Sequence, residues 1–214
     1  MNTDTLTTFF VLVALLCLAG TVAIALGSAV LGATGGPSWL ASMRADLGRV
    51  ALRLAPLVAG GATLGSLYYS EVVGYVPCTL CWGQRIFMYS LAVVLTVGAL
   101  RNDLGVRAYG LALAVPGAAL SAYHSWLQAF PQETSFCTAE APCAERHVWE
   151  LGFVSIPFMA LCAFLLVIAL LAVATRTDGI GTGATGSLGE PGDVNGPDDR
   201  GNDVSNDVSD KELV

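Results

Sequence analysis

The chain has 214 residues, of which 54% are hydrophobic and only 13% charged, with a positive mean hydropathy. That composition excludes an ordinary water-soluble domain of this length and points to an integral membrane protein. The net charge of −7 belongs to one end: from Asp178 onward nine acids face Arg200 and Lys211, whereas the remainder holds eight acids and eight arginines.

Five apolar stretches approach the ~20 residues that a helix needs to cross a ~30 Å hydrocarbon layer. In chain order they are Phe9 to Leu31, Val50 to Tyr69, Trp82 to Leu100, Val106 to Leu127 and Val154 to Ala174. Between the first two lies "GATGGPSWLASMRADLGR", between the third and fourth "RNDLG", and before the fifth a polar run from Gln128 to Glu150. Turn residues and charges gather at each break, as a chain leaving lipid requires. The expected fold is an all-α integral membrane protein, a four-helix transmembrane bundle core plus one additional N-terminal transmembrane helix. The expected divisions are 1–48 for the extra helix and its following loop, 49–175 for the core, and 176–214 for the tail. That tail has almost no large apolar residues to bury and reads as a solvated, disordered segment.

Arginines orient the spans. Arg44, Arg49, Arg53, Arg101, Arg107 and Arg176 flank helix ends on one side, against Arg85 and Arg146 on the other. Six against two predicts that the arginine-rich side and the tail are cytoplasmic, in a multi-pass protein of the cell membrane. The start "MNTDTLTTFF" carries no positive charge, so the first helix is expected to be retained rather than cleaved as a secretory signal.

Six cysteines are sorted by this topology. Cys17 and Cys162 sit inside apolar runs, where a thiol behaves as a small hydrophobe. Cys78 and Cys81, in "VPCTLCWGQR", and Cys137 and Cys143, in "CTAEAPC", lie on the predicted outer side, where disulfides persist. A four-thiolate zinc site is one reading of these four, but the five-residue gap of the second pair exceeds the usual spacing. Structural staples are another, and they suit Cys137 and Cys143 better than Cys78 and Cys81, whose loop is too small to restrict the unfolded chain much. A redox centre is the third. Pro77 is compatible with a helix starting there, which puts Cys78 in the first turn, where the helix dipole favours a thiolate. Cys81 then lies one turn deeper on the same face, so that one sulfur is expected to face water and the other lipid.

Arg85 follows Cys81 by four residues and stacks below the motif beside Gln84. An interfacial arginine often only snorkels, yet a buried cation here would stabilise a thiolate or a reduced, anionic electron acceptor. His124 and Gln128, in "YHSWLQ", share a helical face at comparable depth, and the histidine could donate a hydrogen bond or proton to an acceptor carbonyl. Trp82, Trp126 and Trp149 fit an aromatic belt.

Taken together, "PCTLCWGQR", "YHSWLQ", a loop cysteine pair and "WELGFVSIPFMAL" at the last helix resemble the DsbB/BdbC family of disulfide bond formation membrane proteins, over roughly residues 50 to 175. The resemblance implies an enzyme that oxidises a secreted or membrane-anchored thioredoxin-fold partner (DsbA/BdbD-like) and passes two electrons to a membrane quinone, of the ubiquinone or menaquinone type. It implies that Cys81 neighbours the quinone with Cys78 as its disulfide partner, and that Arg85 and His124 belong to the quinone site, flanked by Gln84 and Gln128. It also implies that Cys137 forms the mixed disulfide with the partner and that Cys143 relays electrons to Cys78. No metal and no nucleic acid are expected. Two features depart from the family: the additional first helix, and a loop pair closer together than in some members. A vitamin K epoxide reductase-like quinone reductase and a non-catalytic membrane protein with stapled loops or a metal site are the competing readings.

Overall fold

The computed structural model describes residues 3–131, 137 and 142–175. The expectations for Arg176 and the acidic tail, and much of the polar run between Gln128 and Glu150, therefore fall outside the described residues.

Among the described residues five helices follow one another: α1 Thr3–Thr34, α2 Ser38–Leu67, α3 Thr79–Arg101, α4 Val106–Ala129 and α5 Ile156–Val173, with a π-helical turn Tyr68–Val72 continuing α2. Among the described residues the only strand-like pairing is an isolated bridge between Glu150 and Val154. The all-α membrane bundle predicted from composition is the fold observed. By length and composition α1, α2 with its π turn, α3 and α5 can each cross a membrane. α4 is as long but is not among them, and it carries the polar Ser121, His124 and Gln128 at buried positions.

Local chemistry explains the boundaries. Gly35 and Gly36 take positive φ (71° and 46°), a region open to glycine without steric cost, and they reverse the chain after α1. α2 begins at Ser38, well before the expected Val50, because "SWLASMRADLGR" is more than half Leu, Ala, Met and Arg, good helix formers that extend the helix beyond the apolar segment. Asn102 ends α3 in the left-handed region (φ 50°), where the Asp103 N–H reaches the Gly98 carbonyl at 3.0 Å. Ser155 and Pro157 open α5, proline standing where its missing N–H costs nothing.

α2, α3, α4 and α5 form a ring in which each helix packs on the next and α5 closes against α2; α1 lies outside it, mainly along α5. Phe164, Leu91, Leu95, Val167 and Leu171 are fully buried at the centre. In lipid, apolar surface alone does not drive helices together, so close approach at small residues carries the packing. Gly117 is the clearest case: a Cβ there would stand 2.4 Å from the Phe164 ring. At one end of the ring the Thr175 N–H donates to the Gly48 carbonyl (2.9 Å) and Arg107 donates to the carbonyls of Ala174 and Ala172. The cysteine motif lies at the opposite end.

Candidate active site

Residues 74–78 have no regular secondary structure, and Pro77 immediately precedes the residue that caps the next helix. Cys78 is the N-cap of α3 (φ −71°, ψ 173°), and its sulfur accepts the Cys81 N–H at 3.3 Å. A sulfur here does what a serine or aspartate oxygen does at other helix starts, satisfying one of the unpaired N–H groups. The expectation that Cys78 belongs to the first turn is thus off by one residue. The two sulfurs lie 3.0 Å apart, in contact as a dithiol.

The predicted division of one sulfur in water and one in lipid is also corrected. Cys78 is the more buried of the pair, at 6% exposure, because the segment carrying Cys143 folds over it. Cys78, Leu80, Leu127 and Cys143 form one buried cluster, with Cys81, Leu120 and Cys137 packed against it. Cys137 and Cys143 are joined by a disulfide, with their Cα atoms 5.8 Å apart. All four cysteines of the two pairs therefore meet in one place.

His124, on α4, is 1% exposed and ties this arrangement together. Its Nδ1 accepts from the Gln84 amide (2.8 Å), which leaves Nε2 as the protonated nitrogen. Nε2–H donates to the Cys143 carbonyl at 3.0 Å and stands 3.8 Å from Cys78 Sγ. The Cys81 hydrogen bond first, and the His124 contact second, hold the Cys78 thiol well below the ordinary thiol range, against the opposing effect of burial. One turn on, Gln128 donates from Nε2 to the Glu145 carbonyl (2.7 Å), while its buried Oε1 has no partner among the described residues.

Arg85 donates from Nε to Ser66 Oγ (3.1 Å) and from Nη2 to the Ser66 carbonyl (3.2 Å), and Tyr89 O–H donates to the same Oγ at 3.4 Å. Its guanidinium carbon also lies 5.5 Å from the centre of the Trp82 ring. Among the described residues it forms no ion pair. On the loop side, Arg146 donates to the carbonyls of Gln128 (2.7 Å) and Ala129 (3.3 Å), groups that the end of α4 leaves open, and lies over Trp149 at 4.0 Å. The exposed faces of Trp82 and Trp126 suit the expected belt.

Beside the cysteine motif lies a cavity of about 490 Å³. Cys78, Cys81, Gln84, Arg85, His124 and Gln128, all singled out in the sequence, border it together; Cys143 borders it and Cys137 does not. The remaining wall is mostly hydrocarbon from α1, α2 and α5. The ligand atoms of Cys78, Cys81 and His124 lie within 4.8 Å of one another, whereas the disulfide removes Cys137 and Cys143 from any four-thiolate site.

Comparison with known proteins decides the family. The family model described as "Disulfide bond formation protein DsbB" matches residues 48–174. The chain belongs to the DsbB family. "Disulfide bond formation protein C" of Bacillus subtilis is 40% identical over 117 residues, which are 54% of this chain and 85% of that protein. "Probable disulfide formation protein C" of Halalkalibacterium halodurans is 43% identical over 113 residues, 52% of this chain and 82% of its own length. "Probable disulfide formation protein" of Deinococcus radiodurans is 43% identical over 132 residues, 56% of this chain and 85% of its own. No solved structure matches the chain. The resemblance read from the motifs is thus the family found, and the protein is a multi-pass membrane protein of disulfide bond formation.

Sequence reasoning missed Ser66, the anchor for Arg85, and Tyr75, whose ring stacks on His147 at 4.7 Å beneath the loop. A serine in an apolar helix and a tyrosine beside a turn carry no signal of their own. It also assigned α1 no place at the site, although Phe10, Ala14 and Cys17 border the cavity.

Proposed function

We propose that this DsbB-family protein is a membrane thiol oxidase. It takes two electrons from the dithiol of an extracytoplasmic thioredoxin-fold partner and delivers them to a membrane quinone. The observation that carries the reading is the meeting of two cysteine pairs, one disulfide and one dithiol, at a single cavity that also holds Arg85. The arginine bias in the sequence supports placing the cysteine end outside the cytoplasm.

The residues supply an electron path in balanced exchanges. A partner thiolate attacks Cys137 of the loop disulfide, and resolution of that mixed disulfide leaves the partner oxidised and the loop pair as two thiols. Cys143, packed against Cys78, then attacks a Cys78–Cys81 disulfide; the loop disulfide re-forms, and Cys78 and Cys81 become the dithiol seen here. Each exchange needs a thiolate, and the low pKa of Cys78 makes it a good leaving group in the second.

The cavity fits a quinone: an aromatic, apolar enclosure with a guanidinium, two side-chain amides and an imidazole at one end, and the orphaned Oε1 of Gln128 able to accept an O–H. A bound quinone supplies a two-electron, two-proton sink for re-forming the Cys78–Cys81 bond. Arg85, held by Ser66 and unpaired with any described carboxylate, offers positive charge to an acceptor gaining electrons. His124 holds a proton at Nε2 beside Cys78.

The test uses purified full-length protein in lipid, a reduced thioredoxin-fold protein and a quinone, with quinone absorbance followed in wild type and Cys81→Ser. Thiol-dependent reduction that is lost in the variant is expected. Its absence in wild type sinks the oxidase reading, and zinc retained by unreactive thiols supports a metal site instead.

A further inference from the structure

α1 lies outside the family match, which begins at residue 48. Its seat is specific nonetheless. At the cysteine end the Phe10 ring lies so close to α2 that a Cβ on Gly65 would meet it at 3.2 Å. The same ring is 5.6 Å from that of Tyr69, whose O–H reaches Thr7 Oγ1 at 3.4 Å. Further along, α1 packs on α5, with Gly20 facing Leu166.

The cavity extends into the space this helix borders. From the polar end at Ser66 its α2 wall continues down to Leu54, a run of about 18 Å along the helix at 1.5 Å per residue. Phe10, Val13, Ala14 and Cys17 form the facing wall from α1. On that run Leu54, Leu57, Val58 and Ala62 offer no hydrogen-bonding side chain. The space is therefore an apolar slot leading away from the dithiol, walled on one side by α1 and open beside Leu57, which is 70% exposed. The other face of α1 is open, with Leu12 60% and Leu16 72% exposed.

We propose that α1 is the lipid-side wall of the acceptor cavity, and that its Phe10–Cys17 segment selects the hydrocarbon tail of the electron acceptor. Specificity for the tail then resides in a helix that the family match does not include. This inference rests on the oxidase reading only for the acceptor's redox role; the apolar slot and its occupant are testable separately.

The probe is a decyl-tailed benzoquinone carrying a diazirine at the tail end, photolysed with the full-length protein in lipid nanodiscs. Labelling is expected within residues 10–17. In Ala14→Trp, which fills the slot, labelling there falls about tenfold, and KM for the decyl quinone rises about tenfold more than KM for a tail-less benzoquinone, the loss of a little under two buried methylenes. Ala14→Leu gives the same direction if the larger side chain disturbs folding. Leu16→Trp, on the open face, leaves both readouts unchanged. An unlabelled α1, or equal effects of Ala14→Trp and Leu16→Trp, overturns the inference. Labelled α1 without thiol-dependent turnover upholds the wall and removes the oxidase reading; turnover with unlabelled α1 does the reverse.

Discussion

Nε2 of His124 stands 3.8 Å from Cys78 Sγ and 3.0 Å from the carbonyl oxygen of Cys143, so one buried imidazole joins the membrane-end dithiol to the loop that covers it. The link is fixed from behind by the Gln84 amide on Nδ1. Loop docking and the state of the Cys78 thiol therefore depend on the same side chain.

A ranking of thiol acidities follows. The Cys78 pKa is lowered most by the Cys81 hydrogen bond and next by His124. A lowered thiol pKa means that the thiolate is present above it and is lost only as pH falls through it. Removing a lowering contact moves that loss to higher pH, towards the ordinary ~8.5. In the reduced protein Cys81→Ala is therefore expected to raise the Cys78 pKa more than His124→Ala, and both to lie above wild type. Thiolate ultraviolet absorbance against pH reads this, and an order with His124→Ala highest contradicts the assignment.

Arg85 has two hydrogen bonds to one residue, Ser66, and both come from a guanidinium whose charge no described carboxylate neutralises. Hydrogen bonds from charged groups contribute ~1.5–3 kcal/mol. On the proposed oxidase reading, Arg85→Gln is expected to raise KM for the quinone about ten- to hundredfold, with oxidation of partner thiols by the loop disulfide in a single turnover little changed. Ser66→Ala, which leaves the charge but frees its direction, should produce a smaller increase. Stopped-flow separation of the two half-reactions distinguishes loss of acceptor binding from general damage, which slows both.

Much of this site is legible in the sequence because its parts are local. Cys78, Cys81, Gln84 and Arg85 fall within two helical turns, and His124 and Gln128 within one, so helical spacing alone groups them. What joins the groups is not local. The pairing of Gln84 with His124 spans forty positions, and Ser66 reaches Arg85 from another helix. Nothing in hydropathy foretells that the loop buries Cys78, since that depends on carbonyls of residues 143 and 145 meeting side chains of α4. The early start of α2 was missed for another reason: hydropathy marks where lipid ends, whereas the helix continues into water through Arg44, Asp46 and Arg49.

Gly117 tests the packing. A Cβ at this position would run into the Phe164 ring, itself fully buried. Gly117→Ala must displace that ring, and overpacking of this kind costs ~1–3 kcal/mol. Lower thermal stability in detergent is expected, with partial recovery in Gly117→Ala/Phe164→Leu, where the ring is gone. No recovery in the double variant places the cost in the backbone of α4 rather than at this contact.

Arg146 tests whether the loop is latched. It satisfies the Gln128 and Ala129 carbonyls at the end of α4 and lies 4.0 Å over the Trp149 ring, while Gln128 itself holds the Glu145 carbonyl. These contacts hold the segment that carries Cys143 against Cys78, yet the proposed relay from an outside partner needs that segment to part from α4. Arg146→Ala removes two charged hydrogen bonds, of which the one to Ala129 is exposed and contributes less. Local opening of residues 143–150 is expected to become about tenfold more frequent, read as faster amide deuterium uptake there with α3 and α5 unchanged. Arg146→Lys, which keeps the charge but not the planar fork, should fall between the two. If uptake rises equally throughout the bundle, Arg146 supports the whole fold and not the latch.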